Sequence, residues 1–107
     1  MTRRHLPQRR THEVIRTAHE PAPGIFDGVT IGIGRYADGR LGEVFLDPDD
    51  INKAPVLRDA AVLISLALQC GATIFDITGA ITRCEDGERP SSIIGAAADA
   101  VAREVMA

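Results

Sequence analysis

The chain has 107 residues and a formal net charge of −3, with 45% hydrophobic, 25% charged and 4% aromatic residues. This length suits one domain with its own core. The scarcity of aromatic rings disfavours a protein that stacks the bases of single-stranded nucleic acid. Because the sequence contains no signal peptide and no long apolar run, we expect a cytoplasmic protein that does not bind membranes.

The charge is distributed unevenly along the chain. Residues 1–20 contain five Arg, two Glu and all three His, a net charge of +3, and the remaining residues carry −6. We therefore expect a basic N-terminal arm over 1–9, flexible or extended, and one domain over 10–107. Arg9, Arg10 and His12 are the candidate contacts to a phosphate or an acidic partner surface, because Arg forms planar bidentate contacts with both. The alternative is a solvated arm that binds nothing.

Three segments near the N-terminus are assigned in chain order. Val14 and Ile15 make 12–18 a possible first strand. The Pro- and Gly-rich segment 20–28 predicts a loop. The clearest strands are 29–36 and 41–46, and together they form a hairpin over 29–46.

Asp38-Gly39 at the tip of this hairpin favours a two-residue type I′ turn. Such a turn places four apolar side chains on one face of the hairpin, and on the other face it lays Phe45 over Gly32, an arrangement that stabilises a strand glycine. The cross-strand pairs predicted by this register are Tyr36–Leu41, Gly34–Glu43, Ile33–Val44, Gly32–Phe45 and Ile31–Leu46.

The second half of the chain predicts two or three helices. Residues 56–70 read as a helix with Pro55 in its first turn and Gly71 as its C-cap. Because this helix is apolar over most of its surface, we expect it to be the most buried element. Thr73 and Asp76 resemble a capped start for a helix over 74–83, although a strand is also compatible. Ser91 or Ser92 caps a last helix over 92–106. The predicted fold class is α+β, with a small antiparallel sheet packed against these helices.

Several familiar sites are disfavoured by the spacing of their residues. Gly32-x-Gly34 is followed by a turn, without the third glycine of a dinucleotide site or the Lys-Ser/Thr of a P-loop. His12 and His19 fall on opposite faces of a strand, which disfavours a shared metal ion. Cys84 is a candidate nucleophile if a base lies near it. Cys70 and Cys84 form no CxxC pair, which disfavours a zinc ribbon or a redox dithiol.

The order of segments resembles the C-terminal region of adenosylcobalamin (vitamin B12)-dependent class II ribonucleotide reductases. The segments that carry this resemblance are LPQRRTHEVI, VTIGIGRYADGRLGEVFL and ISLALQCGA, with a weaker likeness in SSIIGAAADAVAREV. In that family the corresponding motifs are a Leu-Pro-x-x-Arg opening, a Tyr-Glu-Asp-Gly-Arg-Pro-Gly-Glu-Ile/Val-Phe hairpin and Ser-Leu-Ala-Leu-Gln-Tyr-Gly. The likeness covers about Leu6 to Met106.

The chain also departs from that family. Ala37, Leu41 and Cys70 replace the usual acidic residue, Pro and Tyr, and the connection over 47–55 differs. A chain of this length has no room for the catalytic barrel, the radical cysteine, the reducing cysteine pair or the cobalamin site. The resemblance therefore implies a stand-alone accessory module without a cofactor, and it does not transfer the family's catalysis.

Three functions remain open from the sequence. The first is a non-catalytic module that binds a protein partner, with the reductase as one candidate, or a nucleotide-like ligand or nucleic acid through the basic arm. The second is a self-associating protein whose apolar helices form a homodimer interface. The third is a small enzyme that uses Cys84 or the pair His12 and His19. We expect a binding module rather than an enzyme.

Overall fold

The computed structural model describes residues 2–8 and 11–107. Its elements are β1 (Thr11–Ala22), β2 (Ile25–Arg35), β3 (Leu41–Pro48), a short 3₁₀ helix (Ile51–Lys53), α1 (Ala54–Gln69), α2 (Ile74–Ala80) and α3 (Ile93–Met106). The strands form one antiparallel sheet in the order β1-β2-β3. This is the predicted α+β architecture. In the described part of the chain, no helix has the length and apolar character needed to cross a membrane.

The first strand is longer than predicted, and most of the predicted loop belongs to strands. β1 continues to Ala22, and a tight turn at Pro23-Gly24 joins it to β2. Gly24 has a φ of +80°, which glycine adopts without strain. The prediction of a loop over 20–28 was wrong because β1 is an edge strand, where proline is tolerated. A register shift between His19 and Ala22 accommodates Pro21.

The β2–β3 hairpin has the predicted register away from its turn. The observed pairs are Gly34–Glu43, Ile33–Val44, Gly32–Phe45 and Ile31–Leu46. As predicted, the Phe45 side chain covers Gly32, because a Cβ added at Gly32 would lie 3.3 Å from Phe45 Cδ2.

The turn itself differs from the prediction. Arg35, rather than Tyr36, pairs with Leu41, so that Gly42 is an extra, bulged residue. Tyr36 N–H donates to the Arg40 carbonyl, and Gly39 alone in this turn has a positive φ. A type I′ turn would require a positive φ at Asp38 as well, so the loop is the three-residue form that ends in a left-handed glycine.

The core lies between one face of the sheet and the helices. Val29, Ile31 and Ile33 of the central strand are fully buried there. α1 packs along β3, and α3 packs along β1 and β2. Together the two helices cover the apolar face that the hairpin register creates.

α1 is not the most buried helix, contrary to expectation. One stripe of its surface faces the core, with Leu57 and Ala61 2% and 5% exposed. Val62 and Leu63, outside this stripe, are 56% and 67% exposed. In α3 seven of fourteen residues are buried, and five of them are alanines. These small side chains let α3 lie close to the sheet, whereas α1 buries one side only.

The short helix α2 has the predicted start but ends earlier than predicted. Asp76 N–H donates to Thr73 Oγ1 at 3.1 Å, and Thr73 N–H donates to Asp76 Oδ2 at 2.8 Å, which completes a capping box. The backbone is extended at Ile81, so the predicted end at residue 83 was wrong. Arg83 instead forms a bridge with Pro90, which closes the loop that leads to α3. Ser92 caps α3 by accepting a hydrogen bond from Gly95 N–H.

Candidate functional site

Residues 2–8 lie against the β2–β3 hairpin without regular secondary structure. The Arg4 guanidinium carbon lies 3.8 Å from the centre of the Tyr36 ring, and Arg4 Nη1 is 2.9 Å from Asp38 Oδ2. The Tyr36 hydroxyl donates to the Arg4 carbonyl oxygen. The hydrogen bond from Arg40 N–H, followed by that from Arg4, holds the pKa of Asp38 below its usual range. The described part of the predicted arm is therefore in contact with the fold.

Of the three predicted phosphate contacts, Arg9 and Arg10 lie outside the described residues. His12 lies on the face of the sheet that the helices leave open, where its ring stacks on Phe45 with 6.1 Å between ring centres. Its Nε2 is 3.9 Å from Glu43 Oε1. A carboxylate at this distance repels a phosphate rather than attracting it. The phosphate-binding role of these residues stays a prediction.

The middle of the open sheet face is covered by side chains from the edge strands. A Cβ added at Gly34 would lie 2.5 Å from Glu43 Oε1, and one added at Gly28 would lie even closer to Asp49 Oδ2. Asp49 also forms an ion pair with Arg16 Nη2 at 2.8 Å. This hydrogen bond, which is the largest cause, lowers the pKa of Asp49. The Glu43 and Asp49 side chains therefore fill the space above Gly34 and Gly28, which leaves no room there for a ligand.

A groove of about 580 Å³ lies between the outer edge of β3 and helix α1. Phe45, Val62 and Leu66 give it an apolar surface, and they are 49%, 56% and 36% exposed. Arg3 and Arg58 supply positive charge to its lining. The groove combines apolar surface with charged side chains, which is typical of binding sites.

Two polar side chains of α1 bond to the edge of β3 beside this groove. Val44 N–H donates to Ser65 Oγ at 3.0 Å, Ser65 Oγ donates to the Val44 carbonyl at 3.2 Å, and Gln69 Nε2 donates to the Gly42 carbonyl at 3.0 Å. Every second residue of an antiparallel strand directs its N–H and C=O away from its partner strand. Leu46, two residues beyond Val44, therefore directs both groups to the groove. Among the described residues, no α1 side chain bonds to them.

A second cavity brings together two residues that the sequence analysis considered separately. His19 and Cys84 both line a space of about 440 Å³ between the end of β1 and the loop before α3. His12 lies on the opposite face of the sheet, as the odd spacing predicts. Glu20 and Arg89 also line this cavity, and no sequence motif indicated Arg89. Within the described ranges, no three His, Cys, Asp or Glu side chains form a group that could hold a metal ion.

The predicted helix over 56–70 includes Cys70, but α1 ends one residue earlier, at Gln69. Cys70 is the C-cap residue of α1 and is partly exposed. It lies 14 residues from Cys84 in sequence, and both cysteines are free. Cys70 lines a small cavity with Arg4 and Tyr36, away from His19.

Comparison with protein families matches residues 3–105 to the model of the TSCPD domain. This domain is found in B12-dependent ribonucleotide reductases. No curated protein and no solved structure gave a significant match to the chain. Because the family model spans nearly all of the sequence, including the arm contacts, the hairpin and α3, the chain belongs to the TSCPD domain family.

Proposed function

We propose that this chain is a non-catalytic accessory module of a ribonucleotide reductase system, and that it binds a protein partner in the groove between β3 and α1. The reductase itself is the first candidate partner. The exposed apolar side chains of Phe45, Val62 and Leu66 that line this groove are the observation that carries the proposal.

An extended segment of a partner fits these features. Its alternate side chains contact Phe45, Val62 and Leu66, which are exposed now and would be buried on binding. Ser65 and Gln69 already bond to the Val44 and Gly42 backbone, and Leu46 is buried. The partner would therefore be held by the side chains of the groove rather than by the β3 backbone.

The charges of the groove favour a peptide of mixed charge over a nucleotide. The groove is lined by Arg3 and Arg58 and also by Glu43 and Asp47. A phosphate chain would be attracted by the first pair of residues and repelled by the second. The groove also lacks a glycine-rich loop that presents several backbone N–H groups to a phosphate.

The exposed valines of α1 provide a matched test. Val62 lines the groove and is 56% exposed, whereas Val56 lies one and a half turns earlier, outside the lining, and is 61% exposed. We propose to titrate the purified reductase of the same organism with the wild type and with Val62→Glu and Val56→Glu. Val62→Glu should weaken binding about tenfold or more, which equals about 1.4 kcal/mol, and Val56→Glu should leave it unchanged.

Failure of the wild type to bind the reductase would exclude it as the partner. Equal effects of the two substitutions would exclude the groove. Titration of the same proteins with nucleoside diphosphates tests the alternative ligand. Nucleotide binding that Val62→Glu abolishes would replace the peptide with a nucleotide in this groove.

Self-association is a second candidate function, supported by a different part of α1. Val56 and Leu63 are 61% and 67% exposed and lie seven residues apart, on one side of the helix. Two copies of α1 packed through this side would bury these residues. Light scattering coupled to gel filtration tests this candidate, and a monomer at high protein concentration excludes it. Leu63→Glu should convert a dimer to a monomer.

A further inference from the structure

The cavity that His19 and Cys84 share is separate from the groove between β3 and α1, and none of the residues that line it lines the groove. Its volume of about 440 Å³ lies within the range of small-molecule sites. An adjoining space of about 150 Å³ is bordered by His19, Glu20, Cys84, Arg89 and two small apolar residues. His19 and Cys84 therefore border both of these spaces.

His19 is the first observation that points to a ligand. It is only 9% exposed, yet its ring forms no hydrogen bond with the residues that the structure describes. No side-chain nitrogen or oxygen in the described residues is both fully inaccessible and unbonded. The ring nitrogens of His19 are therefore not fully inaccessible, and His19 lines this cavity. A buried imidazole that is directed to an open space rather than to a protein partner is available to exchange a proton there.

Cys84 is held in position by the loop that precedes α3. Its N–H donates to the Arg89 carbonyl at 2.8 Å, and its carbonyl accepts from Gly87 N–H at 2.9 Å. Its thiol is 3.7 Å from the Pro90 carbonyl, to which it donates a weak hydrogen bond. Cys84 is partly exposed, so a small molecule can approach its sulfur.

Arg89 brings a positive charge to the same cavity. Its Nε donates to Asp86 Oδ2 at 2.5 Å, and its two terminal NH₂ groups form no hydrogen bond within the described ranges. The hydrogen bond to Asp86 and the charges of Asp86, Cys84 and Glu20 raise the pKa of Arg89. The Arg89 guanidinium and the Glu20 carboxylate therefore bring opposite charges to the cavity that Cys84 lines.

The loop around Cys84 offers few free backbone N–H groups for acyl transfer by this thiol. Such a reaction needs free N–H donors for an oxyanion. The N–H groups of Cys84, Arg89 and Ser91 donate to the Arg89 carbonyl, Asp86 Oδ1 and the Thr82 carbonyl. The proline residues of the walls have no N–H. Attack of a thiolate on a disulfide sulfur forms no oxyanion and therefore requires no such site.

We propose that the cavity is a thiol-exchange site in which Cys84 forms a mixed disulfide with small anionic organic disulfides, with His19 as the proton acceptor and Arg89 as the contact for a carboxylate. The Cys84 proton passes to His19, and the Cys84 sulfur attacks one sulfur of the small disulfide. The S–S bond of the small molecule breaks as the new S–S bond forms. One half of the small molecule leaves as a thiolate and takes the proton from His19. The small disulfide is the oxidant: Cys84 is oxidised to the disulfide level and the departing half is reduced to a thiol.

Cys70 makes the experiment internally controlled. The Cys70→Ser variant leaves Cys84 as the single cysteine, and Cys84→Ser leaves Cys70. Both are incubated with glutathione disulfide, which is anionic, and with cystamine, which is cationic, and mixed-disulfide formation is followed by mass spectrometry. With glutathione disulfide near pH 7, Cys84 should react about tenfold faster than Cys70 or more, because the cavity beside Cys70 contains no counterpart of the proton acceptor His19. Equal rates would overturn the proposal.

His19→Gln in the Cys70→Ser protein separates proton transfer from structure. It should lower the rate about tenfold near pH 7 and leave it within about twofold near pH 10, where the thiolate forms without a base. An unchanged rate near pH 7, or an equal loss at both pH values, would show that His19 accepts no proton from Cys84. The rate near pH 10 also reports whether the cavity is intact in the variant.

Arg89→Gln tests the preference for anions. It should lower the ratio of the glutathione disulfide rate to the cystamine rate about threefold or more, because a positive charge has been removed near the sulfur. Arg103→Gln, an exposed arginine of α3 outside this cavity, is the matched control and should leave the ratio unchanged. Equal ratios in the wild type and in Arg89→Gln would exclude Arg89 as the carboxylate contact.

Discussion

The Arg4 guanidinium carbon lies 3.8 Å from the centre of the Tyr36 ring, and the hydroxyl of this ring donates to the Arg4 carbonyl. Tyr36 is only 5% exposed although it adjoins a turn, because Arg4 and Leu6 lie against it. Arg4 N–H also donates to the Gln69 carbonyl at the end of α1. The hairpin that identifies the family in the sequence thus holds the N-terminal residues against the fold.

Tyr36→Phe should lower the free energy of unfolding by about 1 kcal/mol, because it removes the hydrogen bond to Arg4 and keeps the ring. Hydrogen exchange at the Arg4 amide should become faster in the same variant, since the arm is held less firmly. Urea unfolding and hydrogen exchange measure the two effects. Arg40→Ala, an exposed arginine of the same turn, is the control. Unchanged exchange at Arg4 would contradict this interpretation of Tyr36.

Gly42→Ala should lower the free energy of unfolding by about 1–3 kcal/mol, because the space beside this glycine is already filled. An added Cβ would lie 2.6 Å from Leu6 Cδ2 and 2.8 Å from Tyr36 Cε2. Gly79→Ala in α2 is the matched control, since nothing lies within 4 Å of its added Cβ. It should be neutral or stabilise the helix by up to about 1 kcal/mol. Equal effects of the two changes in urea unfolding would argue against the contact with Leu6.

Arg83→Lys should lower the Tm by several degrees, because Arg83 joins three segments through its planar guanidinium. Its Nη1 and Nη2 bond to the Asp99 carboxylate of α3 at 2.5 and 2.9 Å. They also donate to the Thr78 carbonyl at the end of α2 and to the Glu88 carbonyl of the loop. A lysine cannot form this set of bonds. Arg103→Lys on the exposed side of α3 should leave the Tm unchanged in the same thermal unfolding experiment. A wild-type Tm for Arg83→Lys would contradict the prediction.

Asp86 should make the stability depend on pH in the acidic range. The hydrogen bond from the Arg89 side chain, followed by those from Glu88 and Arg89 N–H, lowers the pKa of Asp86 to about 2. A carboxyl whose pKa is lower in the folded chain stabilises the fold above its unfolded pKa of about 4, and this stabilisation is lost as the pH falls towards 2. Asp86→Asn should therefore make the fall in Tm over this range less steep.

The control for this measurement is Asp59→Asn, since Asp59 is exposed on α1 and forms no hydrogen bond or ion pair in the described part of the chain. The Tm of this variant should follow that of the wild type across the acidic range. Part of the pH dependence should also persist in Asp86→Asn, because the pKa values of Asp38, Asp49 and Asp76 are lowered too. Identical slopes for Asp86→Asn and the wild type would contradict the role given to Asp86.

The parts of the fold that could be predicted from the sequence depend on residues close together in the chain. The alternation of apolar side chains determined which face of the β2–β3 hairpin is buried, because neighbouring residues of a strand point to opposite faces. Thr73 and Asp76 determined the start of α2 because both partners of a capping box lie within one turn of helix. The odd spacing of His12 and His19 likewise placed them on opposite faces.

Tertiary structure decided the rest, since it depends on contacts between residues far apart in sequence. Pro21 remains in a strand because β1 is an edge strand. α3 is more buried than α1 because it packs against β1, β2 and α2, whereas α1 packs mainly against β3. Cys84 has an imidazole beside it only because the loop before α3 folds back onto the end of β1, 65 residues away from His19. Composition and local sequence patterns do not predict contacts between such distant segments. The candidate sites could therefore be identified only from the folded chain.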